Sequence, residues 1–243
     1  MNNLKAKARM LNFPYINFKE NDLIKYFLEN EEKIIFKWIH YFEIYEKIFY
    51  RFRNKENLKI LEIGVNRGGS LQMWKKYFGE QSKIVGIDID SGCKALEEKG
   101  IEIRIGSQAD PSFLKSLIDE FEYFDIIIDD GSHINEHQII SFTNLFESVK
   151  DDGIYLCEDC HTSYWPSHGG GYLNKNSFIE YSKSLIDSLN AFHSKEKEEF
   201  SPNYYTRNIK SMTFYDSIVV FNKGKSRKPF TRKTGKLDWK KSN

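Results

Sequence analysis

The chain has 243 residues, 40% of them hydrophobic and 29% charged, with a formal net charge of +1, which is ordinary for one α/β domain with a full core. No run of eighteen or more apolar residues occurs, so the sequence offers no apolar membrane-spanning helix. The start of the chain lacks the apolar segment of a secretory signal, and the three cysteines are few and odd in number. We therefore expect a cytoplasmic protein.

The first predicted elements are one or two amphipathic helices within residues 18–53, where apolar residues recur at helical spacing. From residue 59 onward, short apolar strands alternate with helices. A polar loop at 161–176 and a helix at 177–193 follow, and the sequence then predicts an antiparallel strand pair that turns at Asp216 and Ser217. The alternating strands are expected at 59–63, 83–88, 101–105, 124–129 and 153–158, and the helices between them at 69–78, 92–98, 111–119 and 135–148.

This alternation predicts an α/β fold with a doubly wound, mainly parallel, Rossmann-like sheet, N-terminal helices and an antiparallel C-terminal strand pair. We divide the chain into an N-terminal helical segment (1–57), a nucleotide-binding domain (58–222) and a basic tail (223–243). The tail carries nine Lys and Arg and one Asp, a net charge of +8, which leaves +1 − 8 = −7 for the remainder. We expect the tail to be solvated and flexible, and contact with an anionic partner is the alternative.

The most informative stretch is LKILEIGVNRGGS at 58–70. An apolar strand reaches Glu62 and runs into Gly64 and Gly68, which indicates a tight glycine turn before a helix. The next strand, KIVGIDID, ends in Asp88. Ligands of open α/β sheets bind at the carboxyl ends of the strands, so these residues predict a nucleotide site at that edge.

The glycine pattern distinguishes between two nucleotides. A dinucleotide fingerprint requires G-x-G-x-x-G, but Asn66 stands at the middle glycine position. The pattern resembles motif I of class I S-adenosylmethionine (SAM)-dependent methyltransferases. By that resemblance, Asp88 accepts hydrogen bonds from the ribose hydroxyls, for which a carboxylate is well suited. The loop after the third strand would lie near the adenine, which makes Ser107, Gln108 and Asp110 secondary candidates. Ser70 and Asp129 complete the cofactor-binding residues that we assign around these motifs.

Acidic residues follow two strands that are expected to be neighbours. Asp130 and His133 lie after FDIIID, and Glu158 and Asp159 lie after the strand that ends near 158. Three converging carboxylates would repel one another unless a cation neutralised them. Because hard oxygen ligands select hard divalent cations, the sequence predicts a site for Mg²⁺, Mn²⁺ or Ca²⁺. Mg²⁺ or Mn²⁺ is the expected cofactor, since Mg²⁺ keeps coordination positions open for water or substrate.

The stretch from D-G-S-H at 130–133, through the E-D pair at 158–159, to Tyr-Trp-Pro and Gly-Gly resembles the metal-dependent sugar O-methyltransferases of macrolide biosynthesis (the mycinamicin type). It also resembles the related cephalosporin-hydroxylase-like group. HYFEIYEKIF, before the first strand, resembles that family too, and the resemblance spans about 38–172. It implies that Asp130, Glu158 and Asp159 hold the metal, that Asp130 and His133 are catalytic, and that His133 is the general base. It also places Tyr45 and Arg67 at the SAM.

The predicted reaction is the transfer of the SAM methyl group to a sugar hydroxyl, with a bound metal lowering the pKa of the hydroxyl and His133 accepting its proton. We expect a small-molecule sugar acceptor, either a nucleotide-activated sugar or a precursor of a surface polysaccharide. Tyr164 and Trp165 either pack on a sugar face or anchor the loop, and His161 and His168 are candidates for substrate contact. We expect no nucleic-acid partner, and a homo-oligomer is compatible with the sequence.

Other interpretations remain. His133 could be a structural histidine, and Glu158 and Asp159 could be caps. An NAD-dependent Rossmann oxidoreductase is disfavoured by Asn66 and by the lack of a Tyr-x-x-x-Lys pair within the predicted domain at 58–222, and a non-catalytic SAM-binding scaffold has no need for converging carboxylates. A nucleic-acid methyltransferase would fit the tail but not the acidic body of the chain. We interpret the C-x-x-C formed by Cys157 and Cys160 as incidental.

Overall fold

A computed structural model describes residues 21–53, 55–196 and 198–235. Its centre is a seven-stranded mixed sheet with the order β3-β2-β1-β4-β5-β7-β6. The strands are β1 (Lys59–Ile63), β2 (Lys83–Asp88), β3 (Ile101–Ile105), β4 (Phe124–Asp129), β5 (Val149–Cys157), β6 (Ile209–Tyr215) and β7 (Ile218–Lys223). Strands β1 to β5 pair in parallel, whereas β7 is antiparallel to both β5 and β6. The predicted fold class, including the strand pair that turns at Asp216 and Ser217, is confirmed.

Helices cover both faces of the parallel part. They are α1 (Asp22–Glu29), α2 (Tyr41–Phe49), α3 (Gly69–Phe78), α4 (Pro111–Phe121), α5 (Asn135–Leu145), α6 (Phe178–Asn190) and α7 (Tyr204–Asn208). The first four strands and α3 lie at their predicted bounds. The helix predicted at 92–98 is instead a short 3-10 helix at Ser91–Leu96, begun by the Asp90 side chain, which accepts from the N–H of Gly92. The helix predicted at 135–148 ends as α-helix at Leu145, and β5 begins at Val149, before the predicted residue 153.

Apolar side chains from the two faces of the sheet form two cores. Ile60, Ile126 and Ile154 contribute to the core that α2 and α3 cover. Leu61, Ile127 and Tyr155 contribute to the opposite core, under α4, α5 and α6. The central strands are buried on both faces and therefore read as continuous apolar runs, which explains why their bounds follow from the sequence.

Residues 30–40 connect α1 to α2 without helix or strand and cross the carboxyl edge of the sheet; we call this segment the strap. Its backbone lies on the start of α3, since a Cβ added at Gly69 would be 2.5 Å from the carbonyl oxygens of Lys33 and Ile34. Phe36 is 86% exposed, whereas the neighbouring Lys37 side chain is only 3% exposed. The strap thus carries one buried charge toward the strand ends.

Parts of two predicted segments lie outside the described residues: 1–20 of the N-terminal helical segment and 236–243 of the basic tail. Residues 224–235 of the tail are described and form neither helix nor strand. Among the helices that the structure describes, none is both long enough and apolar enough to cross a membrane.

Candidate active site

A cavity of about 920 Å³ lies at the carboxyl ends of the parallel strands, beneath the strap. This is the edge at which open α/β sheets bind their ligands, and the volume falls within the usual range for small-molecule sites. The glycine turn and the acidic residues both line this cavity. A single ligand-sized space therefore contains both predicted sites.

The turn after β1 depends on glycine at position 64. Gly64 has φ +94°, and a Cβ there would lie 2.1 Å from the carbonyl oxygen of Asp130. Its N–H donates to the carbonyl oxygen of Ile87 over 2.8 Å, which fastens the turn to the end of β2. The left-handed backbone and the contact with the loop after β4 both require a residue without a side chain.

Asp88, at the end of β2, organises this turn. Its Oδ2 accepts from the N–H groups of Val65 (2.9 Å) and Asn66 (3.0 Å), and its Oδ1 accepts from the N–H of Asp90 (2.9 Å). Burial acts to raise the pKa of Asp88, but these backbone donors outweigh it and hold the pKa below its usual value. The residue is thus an ionised acceptor that faces the cavity.

Glu62 is buried behind the residues that line the cavity. Its carboxylate is buried and accepts from Ser70 Oγ over 2.8 Å and from Trp74 Nε1 over 3.0 Å. Burial raises the pKa of Glu62 by more than the nearby Lys37 lowers it. In the structure this residue fixes α3 against β1, while Ser70 itself lines the cavity.

The loops after β4 and β5 bring Asp130, His133 and Asp159 together, with one ligand atom of each within 4.8 Å of the others. His133 Nε2 lies 3.3 Å from Asp159 Oδ2 and 3.9 Å from Asp130 Oδ1. His133 (φ +58°) and Asp159 (φ +51°) both adopt left-handed backbone conformations, which cost free energy in residues other than glycine. Thr162 Oγ1 holds this arrangement by donating to the carbonyl oxygens of His133 and Asp159.

Glu158 is buried beside this cluster and is paired with the strap. Lys37 Nζ donates to Glu158 Oε2 over 2.9 Å and to Asp130 Oδ2 over 2.5 Å, and it lies 3.6 Å from Glu62 Oε1. Burial opposes a charge on Lys37, but these carboxylates raise its pKa above the usual value. Burial raises the pKa of Glu158, against which Lys37 and the buried hydroxyl of Tyr45 both act. Glu158 Oε1 is itself buried, and Glu158 lies outside the compact group of Asp130, His133 and Asp159.

Lys37 and Tyr41 belong to this site but were not among the residues predicted from the sequence. Lys37 is described above, and Tyr41 OH donates to Asp159 Oδ1 over 2.6 Å. The one available signal was a lysine within the otherwise apolar run IIFKWI. Tyr41 lies within the aromatic stretch HYFEIYEKIF, and its ring is buried.

Gln108 positions the D-G-S-H loop. Its Oε1 accepts from the N–H of Ser132 over 2.6 Å, and its Nε2 donates to Asp129 Oδ1 over 3.1 Å. Asp129 also accepts from Tyr155 OH over 2.8 Å, and its side chain is buried away from the cavity. Burial raises the pKa of Asp129 to about 7 despite these hydrogen bonds.

An aromatic wall adjoins the cluster. His161 lies between Trp38 of the strap and Trp165 of the loop after β5, with ring centroids 5.7 and 4.7 Å away. His168 packs on Trp165 at 5.4 Å. All four line the cavity, whereas Tyr164 is exposed outside it.

The structure brings most of the predicted site residues to this cavity. Those that line it are Gly64, Arg67, Ser70, Asp88, Ser107, Gln108, Asp130, His133, Glu158, Asp159, Trp165 and His168. Glu62, Gly68, Tyr45, Asp129 and Tyr164 lie outside its lining, and Asp110 caps α4 by accepting from the N–H of Ser112. The cysteines are free and buried.

Comparison with known proteins gives related sequences, although no family model matches the chain. The chain is 39% identical over 202 residues to the demethylmacrocin O-methyltransferase of Streptomyces fradiae, in an alignment that covers 77% of this chain and 50% of that protein. It is 36% identical over 202 residues to the mycinamicin VI 2''-O-methyltransferase of Micromonospora griseorubida, covering 79% and 50% respectively. The chain thus spans about half the length of the curated relatives it matches.

A solved structure resembles the fold over most of the chain. It is the MycE methyltransferase from the mycinamycin biosynthetic pathway in complex with Mg and SAH, with a TM-score of 0.75 and 34% identity. The match covers 84% of this chain and 54% of that one. A second structure of MycE, which also contains mycinamycin VI, matches with a TM-score of 0.74.

Proposed function

The chain belongs to the family of S-adenosylmethionine-dependent sugar O-methyltransferases, and on that premise we propose that it transfers a methyl group from SAM to a sugar hydroxyl with the help of Mg²⁺ or Mn²⁺. The observation that carries this proposal is the shared cavity. The glycine turn with the acceptor Asp88 and the cluster of Asp130, His133 and Asp159 line the same cavity. A methyl donor and an acceptor oxygen would meet between them.

The donor end of the cavity suits SAM. Asp88 presents an ionised carboxylate to the cavity, and a carboxylate can accept from both hydroxyls of a ribose. Gly64 allows the backbone to approach a ligand closely. Ser107, Gln108 and Arg67 line the same region and are proposed as further contacts. SAM supplies a sulfonium methyl group that is open to attack by an oxygen nucleophile.

The acidic cluster suits a hard divalent cation. We propose Asp130, Glu158 and Asp159 as the residues that would hold it, since carboxylate oxygens are the ligands that Mg²⁺ and Mn²⁺ prefer. Lys37 Nζ donates to both Glu158 and Asp130, which holds Glu158 beside the cluster and supports this assignment. When bound, such a cation supplies Lewis acidity that lowers the pKa of a sugar hydroxyl and fixes its position.

His133 is proposed as the group that accepts the hydroxyl proton. Its Nε2 points toward the carboxylate cluster at the cavity, whereas its Nδ1 is buried, so Nε2 is the nitrogen that can reach a substrate. Asp159 Oδ2, 3.3 Å away, would stabilise the imidazolium that forms. The specific alternative is that His133 is itself a metal ligand, because it lies within the compact cluster.

The acceptor is proposed to be a sugar attached to a larger apolar molecule. The relatives named above act on demethylmacrocin and mycinamicin VI, and the aromatic wall of Trp38, His161 and Trp165 offers flat apolar surfaces beside the cluster. These names favour an antibiotic-borne sugar over the nucleotide-activated sugar or polysaccharide precursor that we expected from the sequence.

The test is methyl transfer from isotopically labelled SAM. The purified chain would be incubated with a panel of glycosylated macrolides, glycosylated aromatic polyketides and nucleotide sugars, each with Mg²⁺ or with EDTA. We expect label in a glycoside product only when Mg²⁺ is present. Transfer that is equally fast in EDTA would overturn the role of the metal, and a panel with no labelled product would contradict the proposed acceptor class.

A further inference from the structure

Two side chains from the segment before the sheet donate hydrogen bonds to the carboxylates of Asp130, Glu158 and Asp159. Lys37 Nζ donates to Asp130 Oδ2 and to Glu158 Oε2. Tyr41 OH donates to Asp159 Oδ1 over 2.6 Å. Asp130, Glu158 and Asp159 therefore each have one oxygen engaged by a donor that comes from the strap or from the first turn of α2.

The opposite oxygens of the two aspartates face the cluster. Asp130 Oδ1 and Asp159 Oδ2 lie 3.9 and 3.3 Å from His133 Nε2, within the group whose ligand atoms could share a cation. The opposite oxygen of Glu158 is buried, and the Tyr45 hydroxyl acts on the same carboxylate. The arrangement thus leaves a cation at most one oxygen from each carboxylate.

Both donors are held firmly. The Lys37 side chain is 3% exposed, and Tyr41 is 1% exposed. The Tyr41 ring packs against His40 and Tyr45, with ring centroids 4.6 and 6.0 Å away. Because Tyr41 cannot turn away without losing this packing, the oxygen of Asp159 that it occupies is not readily released to a metal.

The number of oxygens that each carboxylate offers affects which divalent cation the site prefers. Ca²⁺ takes six to eight oxygen ligands and often binds a carboxylate through both oxygens, whereas Mg²⁺ requires a compact octahedron and is usually bound by carboxylates together with several waters. Donors that bind the outer oxygens of metal ligands also fix the orientation of those ligands. A site limited to one oxygen per carboxylate therefore favours the smaller cation.

We infer that Lys37 and Tyr41 are positioning residues that restrict Asp130, Glu158 and Asp159 to at most one metal-binding oxygen each and thereby make the site prefer Mg²⁺ to Ca²⁺. This inference rests on the proposed function, since it takes these carboxylates as the metal ligands. It concerns metal preference, which is measured without substrate and without methyl transfer.

The experiment is the binding of Mn²⁺ to the purified full chain, followed by electron paramagnetic resonance, with Mg²⁺ and Ca²⁺ as competitors. The test variants are Tyr41→Phe and Lys37→Met. Tyr155→Phe is the matched control for the first, because Tyr155 OH donates to Asp129, which is not among the proposed ligands. Lys33→Met is the control for the second, because Lys33 Nζ donates to the carbonyl oxygen of Leu96 instead.

We expect the ratio of Ca²⁺ affinity to Mg²⁺ affinity to rise by about tenfold in Tyr41→Phe, in line with the usual effect of removing an outer-sphere partner. Lys37→Met should shift the ratio in the same direction, and both controls should keep the wild-type ratio. If Lys37→Met does not fold, the result for Tyr41→Phe alone tests the inference. This substitution removes one hydroxyl and no charge, so the chain should still fold.

An unchanged ratio in Tyr41→Phe, with Mn²⁺ still bound, would overturn this inference and leave the proposed methyl transfer standing. Failure of the wild-type chain to bind Mn²⁺ would overturn both the inference and the metal dependence of the proposed function. A shifted ratio in a chain that methylates no acceptor would support the inference and contradict the proposed reaction.

Discussion

Lys37 Nζ lies 2.9 Å from Glu158 Oε2, across 121 positions of sequence. This contact joins the strap to the end of β5, and the same ammonium contacts Asp130 at the end of β4. The segment before the sheet is therefore part of the site. Its charge partly offsets a group of carboxylates whose mutual repulsion would otherwise oppose folding.

Removing this charge should destabilise the metal-free protein. We predict that Lys37→Met lowers the free energy of unfolding by about 3–5 kcal/mol, the usual cost of leaving buried charged partners uncompensated. Urea unfolding in EDTA measures this loss. Lys33→Met, in the same strap but with a partly exposed side chain, should cost about 1 kcal/mol or less. Equal losses in the two variants would contradict the role given to Lys37.

His133→Ala separates a proton acceptor from a metal ligand. If His133 is the general base, turnover should fall by about 100-fold or more, while Mn²⁺ affinity and the binding of S-adenosylhomocysteine stay unchanged. Turnover is measured with labelled SAM, and Mn²⁺ binding by paramagnetic resonance. Near-normal turnover would remove His133 from the proposed role, and a large loss of Mn²⁺ affinity would make it a ligand instead.

Gly64→Ala tests the close approach of the turn after β1 to the loop after β4. The new Cβ would lie 2.1 Å from the carbonyl oxygen of Asp130, so we expect a loss of about 2–5 kcal/mol from the left-handed backbone and overpacking together. Gly169→Ala is the matched control. Gly169 has φ +74° with nothing within 4 Å of an added Cβ, so only the backbone cost of about 1–2 kcal/mol applies. Thermal or urea unfolding gives both values, and similar losses would refute the packing argument.

Asp129 should make stability depend on pH. Burial raises its pKa from the ordinary 3.8 to about 7 in the folded chain. Between these values the unfolded chain has lost this proton while the folded chain retains it. The contribution of Asp129 to stability therefore falls as pH rises through this window, and it becomes constant above about pH 7.

Comparison with Asp129→Asn isolates this effect, because the amide cannot titrate. We predict that wild-type stability relative to the variant falls by up to about 1.4 kcal/mol per pH unit between pH 5 and 7 and then levels off. Urea unfolding of both proteins at pH 5, 6, 7 and 8 provides the measurement. A difference that stays constant over this range would show that Asp129 is ionised in the folded chain.

The parts of the fold set by local pattern could be predicted from the sequence. Strands β1 and β2 are apolar runs bounded by polar or glycine residues, and their bounds match the structure. The family resemblance found in D-G-S-H and the E-D pair is confirmed by the relatives. The segment Ser91–Leu96 was predicted as α-helix but forms a short 3-10 helix. The spacing of apolar residues does not distinguish these two kinds of helix in so short a segment.

The contacts that complete the site could not be predicted in this way. Lys37 and Tyr41 reach carboxylates 93 and 118 positions away, and no local pattern encodes such a contact. Gln108 was predicted beside the cofactor because of its loop, and the structure adds that its amide holds the backbone of Ser132. These contacts become visible only in the three-dimensional structure, where the strap packs on the loops that follow the strands.

The most direct test of the account is thermal unfolding of the wild-type chain with S-adenosylhomocysteine, with NAD⁺ or with neither, each in Mg²⁺ or EDTA. A ligand that binds only the folded state raises the unfolding midpoint. Asp88→Ala is the control, because it removes the carboxylate that faces the cavity. We predict that S-adenosylhomocysteine raises the midpoint of the wild-type chain, that the gain is lost in Asp88→Ala, and that NAD⁺ has no effect. Stabilisation by NAD⁺, or by neither ligand, would contradict the proposed methyl-donor site.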